Sequence, residues 1–530
     1  MKKARRAIDA LTVLLAASLS VALPAVSAAP PSVSAAPPFG TAFTYQGRLT
    51  DGAGPATGTY DLSFTLYDAP MAGSSQGNVT KTGVAVSGGI FTVTLDFGAA
   101  AFRGSARWLE IAVQKMGSGY QPLMPRVSID PAPHAQTMYV RTLLVKPLGT
   151  PAENGSALLS ALAGITGASA TNPWLVKLEA GRYDVGAPAL LAMKPYVDLE
   201  GAGEGVTKIT STGSSATNTG TLLCADASEV RFLTVENTGG GLSYATAISA
   251  NGVSGSIRHV TARVSGATSQ AIALFVANAA SPTVTDVSVI ADSGASGAAP
   301  FGFATVNSSP TVRHVESTVT GGFFGQAFIV QGGTADMADL NGVATGASMV
   351  SVGLSVIIGA SATVRSSSFA AAGSPDAYGI QDGASLTLED VRAVGTSTGG
   401  GTVGGAGIYA AVASLSAYGT YAQGSGTGPT FGLYTSRTNA TLTGSTFVAT
   451  GAPGTGVFNG SSMGGPYAVK IDGGTLQGGT GALVTNGTST TNVFVGGSHF
   501  NGTSSVTGPS THKCAGSWDA AYGFSASVCP

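Results

Sequence analysis

The sequence predicts an all-β protein whose main part is a right-handed parallel β-helix. A valine-centred pattern returns roughly every 27 residues, as VTDVSV at 284–289 and VRHVES at 312–317, and such a period indicates stacked structural repeats. Short segments of alternating apolar and polar residues, separated by glycine and proline, indicate strands. Charged residues make up only 10% of the chain, against roughly 25% in an average soluble protein. A weakly charged chain of short repeated strands favours a solenoid.

The charge balance and the cysteine and histidine pattern exclude several kinds of ligand. The 530 residues carry a formal net charge of −2, whereas nucleic-acid-binding domains usually carry a basic patch. No cysteine or histidine cluster has the spacing of a zinc site. We therefore expect no nucleic-acid partner, no metal and no cofactor.

The N-terminus has the features of an export signal. Four basic residues lie within the first six positions, an apolar run covers 10–22, and small residues precede a cleavage point near Ala28. The run is too short to cross a bilayer, which needs about 20 apolar residues. We expect a signal peptide over 1–28 and a proline-rich linker over 29–38. The mature protein is then secreted or held at the cell surface, with no transmembrane segment.

The next segment, 39–138, predicts a small antiparallel β-sandwich. Apolar residues alternate with polar ones over 60–67 and 91–97, which is the pattern of half-buried strands. The stretches FTYQGRL at 43–49 and RWLEI at 107–111 resemble a module that often precedes the main domain of bacterial exported surface proteins. That resemblance implies a front piece without an activity of its own.

A linker and a capping helix are expected within 139–176. Leu158, Leu159, Leu162 and Ile165 follow helical spacing, and Ser156 is a suitable N-cap residue. The first coil of a β-helix exposes an apolar cross-section and open backbone edges. An amphipathic helix laid on that coil would cover both.

The β-helix itself is expected over 177–510, with about ten coils or more. One coil contains a strand at 271–276, a second at 283–285 and a third at 287–289, joined by a turn and a loose loop. The stretches LEAGRYD at 178–184 and YVDLEGAG at 196–203 resemble the first coil of the pectin-lyase-like superfamily. That resemblance implies the fold, but the fold hosts enzymes, adhesins and phage spikes alike.

Polar residues recur at one position of the coil. Val284 and Val287 both suit the interior, so the chain must bend between them at Asp286. Asp and Asn tolerate such bends. We favour a structural ladder of stacked polar residues that satisfies the backbone at this corner. The alternatives are catalysis by His259, Asp286, His314 and Asp339 and, less favoured, a metal site formed by them. The aligned column comprises Phe232, His259, Asp286, His314, Asp339, Ser366, Asp390, Ala417 and Gly444.

An enzyme acting on polysaccharides is the second functional candidate. Glycoside hydrolysis needs two carboxyl groups facing one cleft, and the available pairs are Asp286/Asp339, Asp336/Asp339 and Asp376/Asp382. The segment QAIAL beginning at Gln270 resembles part of a pectin methylesterase signature, but the segments that follow it in that family are missing. The sequence therefore favours an exported, non-catalytic protein over a lyase, hydrolase or esterase.

Aromatic residues near glycine-rich segments offer a binding hypothesis. Tyr409, Tyr418, Tyr421 and Tyr434 are candidates for stacking on sugars, and the alternative is that they stack on one another within the rod. We expect a surface that binds a glycan or another cell-surface partner.

The C-terminal segment 511–530 predicts a hook closed by a disulfide bond. Cys514 and Cys529 lie 15 positions apart in a chain expected to be exported, where disulfides persist. Cys224 lies in an apolar run and is expected to be a small buried residue.

Overall fold

The computed structural model describes most of the chain from residue 42 onward. The predicted signal peptide and proline-rich linker lie outside the described residues. The described residues up to Thr142 form one compact unit, and those from Leu143 to Pro530 form another. The described ranges are 42–52, 54–98, 107–115, 118–129, 141–187, 190–216, 219–294, 297–460, 465–488, 490–525 and 529–530.

The first unit is built from antiparallel strands around one apolar core. Strand β4 pairs with β5 and β7, β8 pairs with β7, and β1 pairs with β6. Leu62, Phe64 and Leu66 of β4 pack in the same core as Phe91 and Leu95 of β6. The alternating pattern therefore identified half-buried strands. The strands are β1 (Phe43–Arg48), β2 (Thr50–Asp51), β3 (Gly54–Pro55), β4 (Gly58–Tyr67), β5 (Ser75–Val86), β6 (Ile90–Leu95), β7 (Arg107–Lys115) and β8 (Gln121–Ile129).

The second unit contains one helix, α1 (Pro151–Gly164), and many short strands that pair in parallel, winding upon winding. The strands are β9 (Thr142–Val145), β10 (Trp174–Leu178), β11 (Gly181–Asp184), β12 (Leu191–Ala192), β13 (Val197–Glu200), β14 (Thr207–Ser211), β15 (Leu222–Leu223), β16 (Glu229–Asn237), β17 (Tyr244–Asn251), β18 (Ser256–Ser265), β19 (Gln270–Ala277), β20 (Thr283–Asp292), β21 (Ala299–Val306), β22 (Thr311–Thr320), β23 (Phe324–Gln331), β24 (Thr334–Ala338), β25 (Asn341–Thr345), β26 (Val350–Arg365), β27 (Ser368–Ser374), β28 (Asp376–Glu389), β29 (Arg392–Ser397), β30 (Gly405–Ala411), β31 (Ser414–Tyr418), β32 (Tyr421–Gly426), β33 (Thr430–Ser436), β34 (Asn439–Thr443), β35 (Thr446–Ala449), β36 (Gly454–Asn459), β37 (Tyr467–Asp472), β38 (Thr475–Gly478), β39 (Gly481–Asn486), β40 (Thr491–Gly496), β41 (His499–Asn501), β42 (Ser504–Thr507), β43 (Thr511–Ala515), β44 (Ser517–Trp518) and β45 (Phe524–Ser525).

Three stacked sheets form the sides of the rod, and we call them faces A, B and C in the order in which each winding visits them. In one winding, β20 supplies face A up to Thr285 and face B from Val287, and β21 supplies face C. Each strand pairs in parallel with its counterpart one winding later; Val284 pairs with Val312, which pairs with Met337. This stacking confirms the predicted parallel β-helix. Face C by itself contains thirteen of the described strands, from β12 to β42.

Small residues hold face C against face B. An added Cβ on Gly379 of face C would lie 2.4 Å from the backbone nitrogen of Val394 on face B. One winding later, an added Cβ on Gly407 would lie equally close to the backbone nitrogen of Gln423 on face B. The cross-section is therefore too narrow for larger side chains in this column. Its members are Ala247, Ala273, Gly302, Ala327, Gly353, Gly379, Gly407, Gly432, Gly456 and Ala482.

The capping helix exists, but the predicted N-cap residue is wrong. The N-cap is Thr150, six residues before the predicted Ser156. Its side chain accepts a hydrogen bond from the Glu153 backbone, while the Glu153 carboxylate accepts one from the Thr150 backbone. The leucine stripe does face the core, since Leu158 and Leu162 are buried there. Gly155 lets the helix lie against the first winding, where a Cβ would clash with the carbonyl oxygen of Asp184.

The C-terminal segment continues faces A and B and then folds back. Strand β43 pairs with β40, β44 with β41, and β45 returns antiparallel to β44. The predicted disulfide is present, with the Cα atoms of Cys514 and Cys529 5.1 Å apart. Cys224 has no disulfide partner; it packs against the core but is only partly buried, and desolvation raises its pKa to about 12. No helix in the described part of the chain is both long and apolar enough to span a membrane.

Candidate functional site

The corner between faces A and B is where sequence reasoning placed chemistry, and the backbone there bends as expected. Val284 and Val287 are both buried, and Asp286 between them has a φ of 55°. This left-handed conformation turns the chain from one face to the next at the same point of each winding. One member of the predicted column is wrong. Ala417 pairs with Leu388 in the interior, and the bend of that winding is Gly419, with a φ of 57°.

Four alternating side chains project from this corner. His314 lies between two carboxylates, with Nδ1 3.5 Å from Asp286 Oδ1 and Nε2 3.6 Å from Asp339 Oδ2. His259 Nε2 lies 3.8 Å from the other oxygen of Asp286, and the His259 ring stacks on Phe232 at 5.1 Å. The structure therefore brings the four predicted residues together as a ladder. The contacts run from side chain to side chain rather than to the backbone.

An open groove lies beside His314 and Asp339 of this ladder. Its volume is about 650 Å³, and most of its lining residues have polar or charged side chains. The ladder side chains are between 41% and 61% exposed, so they are solvated rather than held in a dry cleft. The lining residues are His314, Glu316, Asp339, Leu340, Asn341, Ser366, Ser367, Ser368 and Asp390.

The Asp336/Asp339 pair does not face one cleft. Asp336 lies on face A between Arg313 and Arg365, with Oδ1 2.7 Å from Arg365 Nη1. The hydrogen bond from Arg313 holds the pKa of Asp336 below its usual value, with Arg365 acting in the same direction. Both arginines and this carboxylate are thus engaged in an ion-pair network.

The Asp376/Asp382 pair is also separated. Both lie on β28, six residues apart, which in a strand corresponds to about 20 Å. The Asp376 carboxylate accepts hydrogen bonds from the backbone nitrogens of Thr402, Val403 and Gly404 and so fixes a loop. Asp382 points into the core beside Val356, and burial raises its pKa to about 7.

The structure does not bring the four candidate tyrosines together. Tyr409 and Tyr434 lie on the outer side of face C in a stack with ring centroids 5.1 Å apart. Tyr418 lies on face A and is 43% exposed, whereas Tyr421 lies on face B beside Arg392. Tyr378 extends the face C stack, its ring centroid 4.9 Å from that of Tyr409. In this stack the faces of the rings are covered by neighbouring rings, so only the ring edges are accessible to a ligand.

Sequence reasoning missed a change along the A–B corner. Upstream the corner carries side chains that, apart from Ser366, are large or charged, but from Gly419 onward it consists of glycines. The glycines at this position have φ values between 53° and 63°. A ligand can therefore approach the backbone along the C-terminal windings. The bare positions are Gly419, Gly444, Gly473, Gly497 and Gly516.

Aromatic rings collect at the end of this bare corner, and we call the half-buried Trp518 and the exposed Tyr522 and Phe524 the hook aromatic surface. Tyr522 is 76% exposed and stacks on His499 with ring centroids 4.7 Å apart. Phe524 is 64% exposed, 5.7 Å from Trp518, and reaches over Gly516. Three aromatic residues within the last 20 positions were a usable sequence signal, since so short a segment cannot bury them all.

A second groove lies on face A next to the hook. It has a volume of about 380 Å³ and is lined by Phe494, Lys470, Lys513 and Asp472, among others. Phe494 is 39% exposed. Its position in the strand pairs with Lys470 one winding before and Lys513 one winding after.

Comparisons with known proteins give a family match only at the N-terminus. Residues 44–126 match a family described as "Domain of unknown function (DUF8740)". No curated protein matches the chain.

The solved structures that match the chain include three carbohydrate-active enzymes. The catalytic unit of a GH87 alpha-1,3-glucanase from Streptomyces thermodiastaticus is 11% identical, with a TM-score of 0.36, and the match covers 92% of this chain and 88% of that one. The A-module of the mannuronan C-5 epimerase AlgE6 from Azotobacter vinelandii is 14% identical, with a TM-score of 0.35 and coverage of 69% and 95%. Pectin methylesterase PemA from Erwinia chrysanthemi is 10% identical, with a TM-score of 0.25 and coverage of 57% and 90%. At these values the likeness carries no argument about activity.

Proposed function

We propose that this is an exported, non-catalytic β-helix protein that binds a glycan outside the cell through its hook aromatic surface. One observation carries the proposal: Tyr522 and Phe524 are exposed by 76% and 64% beside a bare glycine corner. The predicted signal peptide and the disulfide between Cys514 and Cys529 support an oxidising, extracellular location.

Exposed aromatic rings suit glycan binding for a physical reason. A tyrosine or phenylalanine face packs on the apolar face of a sugar ring, and its two side-chain torsions lose little entropy on binding. Tyr522 uses one face on His499, and its high exposure leaves the other face open to solvent. A Cβ added at Gly444 or Gly473 would meet no atom within 4 Å, so the corner there leaves room for a chain lying along it.

The engagement of the acidic residues supports binding rather than catalysis. Asp336 is paired with two arginines, Asp376 holds a loop, and Asp382 is enclosed in the core. Glycosidases need two carboxyl groups roughly 5–9.5 Å apart across one cleft. Asp286 and Asp339 are two windings apart, about 10 Å along the rod, and His314 lies between them.

The test measures glycan retention and glycan cleavage on the same protein. We expect the full mature chain to bind one or more members of a glycan array, and the double variant Tyr522→Ala/Phe524→Ala to lose at least roughly ten-fold in affinity, since each stacked ring contributes about 1 kcal/mol. Tyr418→Ala, which removes an exposed tyrosine from face A, is the matched control and should bind normally.

Two outcomes would overturn the proposal. One is the release of reducing or unsaturated ends from a pectin, alginate or glucan panel, abolished by His314→Ala or Asp339→Asn; this would establish the corner ladder as an active site. The other is an unchanged affinity of the hook variant for a glycan that the intact protein binds.

A further inference from the structure

Face A carries a row of charges, and along most of the rod these charges neutralise one another. Lys177 contacts Glu200 at 2.7 Å, and Arg258 contacts Glu229 at 3.2 Å. Such pairs are half-solvated and each contributes little to stability. Their effect is to leave no net charge for a ligand to recognise. The paired cations are Lys177, Arg231, Arg258, Arg313 and Arg365.

The two cations at the C-terminal end of face A differ from the rest. Lys470 and Lys513 have no ion-pair partner among the described residues, and both are exposed. Phe494 lies between them in register, and the Lys513 ammonium lies 5.7 Å from the centre of its ring. Because parallel strands stack about 4.8 Å apart, the two lysine positions are about 10 Å from each other.

We propose that the groove of Lys470, Phe494 and Lys513 is a subsite for the anionic group of a glycan. This inference rests on the proposed glycan-binding function and names the chemistry that the site selects. The two ammonium groups bind carboxylate, sulfate or phosphate substituents as point charges. The Phe494 ring between them packs on the sugar that carries the substituent.

Asp472 is the one acidic side chain that lines this groove, so the three charged groups sum to a single positive charge. Its position pairs with Gly496, two residues along the strand from the Phe494 position. A carboxylate there accepts hydrogen bonds from sugar hydroxyls without cancelling both lysines. The groove therefore selects a sugar with both an anionic group and free hydroxyls.

The groove and the hook aromatic surface adjoin each other. Lys513 and Cys514 line the groove on β43, and Gly516 carries the chain around the corner to Trp518. Phe524 reaches over that corner. One extended glycan can thus place its sugar faces on the hook rings and an anionic substituent in the groove.

The experiment compares three anionic glycans with a neutral one on the full mature chain. Oligogalacturonate, a sulfated heparin oligosaccharide and a phosphorylated mannan represent the three anionic groups, and dextran of matched length is the neutral reference. We expect at least one anionic glycan to bind more tightly than dextran, with an affinity that falls as NaCl rises from about 50 to about 500 mM because salt screens exposed charges. The preferred member identifies the substituent.

Charge removal gives the second readout. Lys470→Gln and Lys513→Gln should each lower the affinity for the anionic glycan roughly two- to five-fold, and the pair together roughly ten-fold, with a flatter salt dependence. Lys208→Gln, an exposed lysine on face B, is the matched control and should change nothing.

The outcomes separate this inference from the proposed function. Equal, salt-independent binding of neutral and anionic glycans that the hook variant abolishes would overturn the subsite while supporting glycan binding. An anionic preference that survives the double lysine variant would also overturn the subsite. Retention of no glycan would overturn both proposals.

Discussion

At the scale of single residues, the most unusual group is the carboxyl of Asp382. It occupies an interior position that valine fills one winding earlier, and its Oδ2 has no hydrogen-bond partner among the described residues. Oδ1 accepts one hydrogen bond, from the backbone nitrogen of Ala384. Burial disfavours the charged form, which is why its pKa is raised to about 7.

This residue predicts a pH-dependent stability. Since the pKa is about 7 in the folded state and about 3.8 in the unfolded state, the folded protein binds an extra proton between these values. Stability is fully present below about pH 4, falls as the pH rises to about 7, and is then lower by about 4 kcal/mol. Asp382→Asn should remove this loss, raising the melting temperature at pH 8 much more than at pH 4.

The control for this measurement is Glu316→Gln, which alters an exposed carboxyl on face B. It should leave the pH profile of the melting temperature as it is in the natural protein. A profile of Asp382→Asn that parallels the natural one would show that the Asp382 carboxyl is not the cause.

The sequence allowed the bend residues to be predicted only where their neighbours were distinctive. Two valines three positions apart identified Asp286, because both had to face inward. In the winding of Gly419, two inward positions, Leu415 and Ala417, lie on the same strand. The sequence alignment matched Leu415, rather than Ala417, to the interior valine that precedes the bend in other windings. The predicted bend was therefore two residues too early, at Ala417 instead of Gly419. Small interior residues thus carry too little signal to fix a register.

At the scale of elements, the hook shows how a short segment can end a solenoid. Strands β43, β44 and β45 give the last windings a partner for their backbone edges, which would otherwise be open to pairing with another chain. The disulfide ties this segment at both ends, and the backbone nitrogen of Ser504 donates a hydrogen bond to the carbonyl oxygen of Pro530.

Removing the disulfide should therefore weaken both the hook and the proposed glycan binding. A loop of this length contributes roughly 3 kcal/mol through restriction of the unfolded chain. In Cys514→Ser/Cys529→Ser we expect faster hydrogen exchange in β43–β45 and a loss of glycan affinity, with the upstream strands unchanged. Cys224→Ser, which alters the unpaired thiol, is the control. Unchanged exchange in the hook would contradict this role.

Helix α1 shows a different limit of sequence reasoning. The leucine stripe placed the helix correctly, but its start was assigned to Ser156 rather than Thr150. The missed signal was local: Thr150 followed by Pro151 and then Glu153 is a capping box with proline at the first helical position. The start could have been predicted from chemistry that the apolar pattern does not contain.

At the scale of the whole molecule, the β-helix is nearly one-dimensional. Each winding contacts mainly the windings before and after it, so stability is approximately a sum over neighbours. The fold class could be predicted because the same pattern of apolar and polar residues recurs in many windings. The candidate surface at the hook occurs only once, so its sole sequence signal was the cluster of aromatic residues near the C-terminus. That cluster does not tell which of the rings the last winding leaves exposed.

This repetition predicts that a whole winding can be removed. Deleting residues 350–375 brings Asp376 to the place of Val350, its partner in register. We expect the shortened protein to fold, with a β-type circular dichroism spectrum and a lower denaturant m-value because less surface is exposed on unfolding. Glycan affinity at the hook should be retained.

A deletion of half a winding, residues 363–375, is the matched control. It moves a face C strand onto face A, so it should unfold or aggregate. Equal behaviour of the two deletions would contradict the idea that register between neighbours sets the stability.

The column of small residues that holds face C against face B has a wider consequence. Gly379 and its counterparts bring faces B and C into contact, so the interior of the described windings is packed with side chains. Molecular recognition is thereby confined to the exterior. Substitutions at the outward positions of each strand can then change which ligands the protein binds, while the packed interior that defines the fold stays the same.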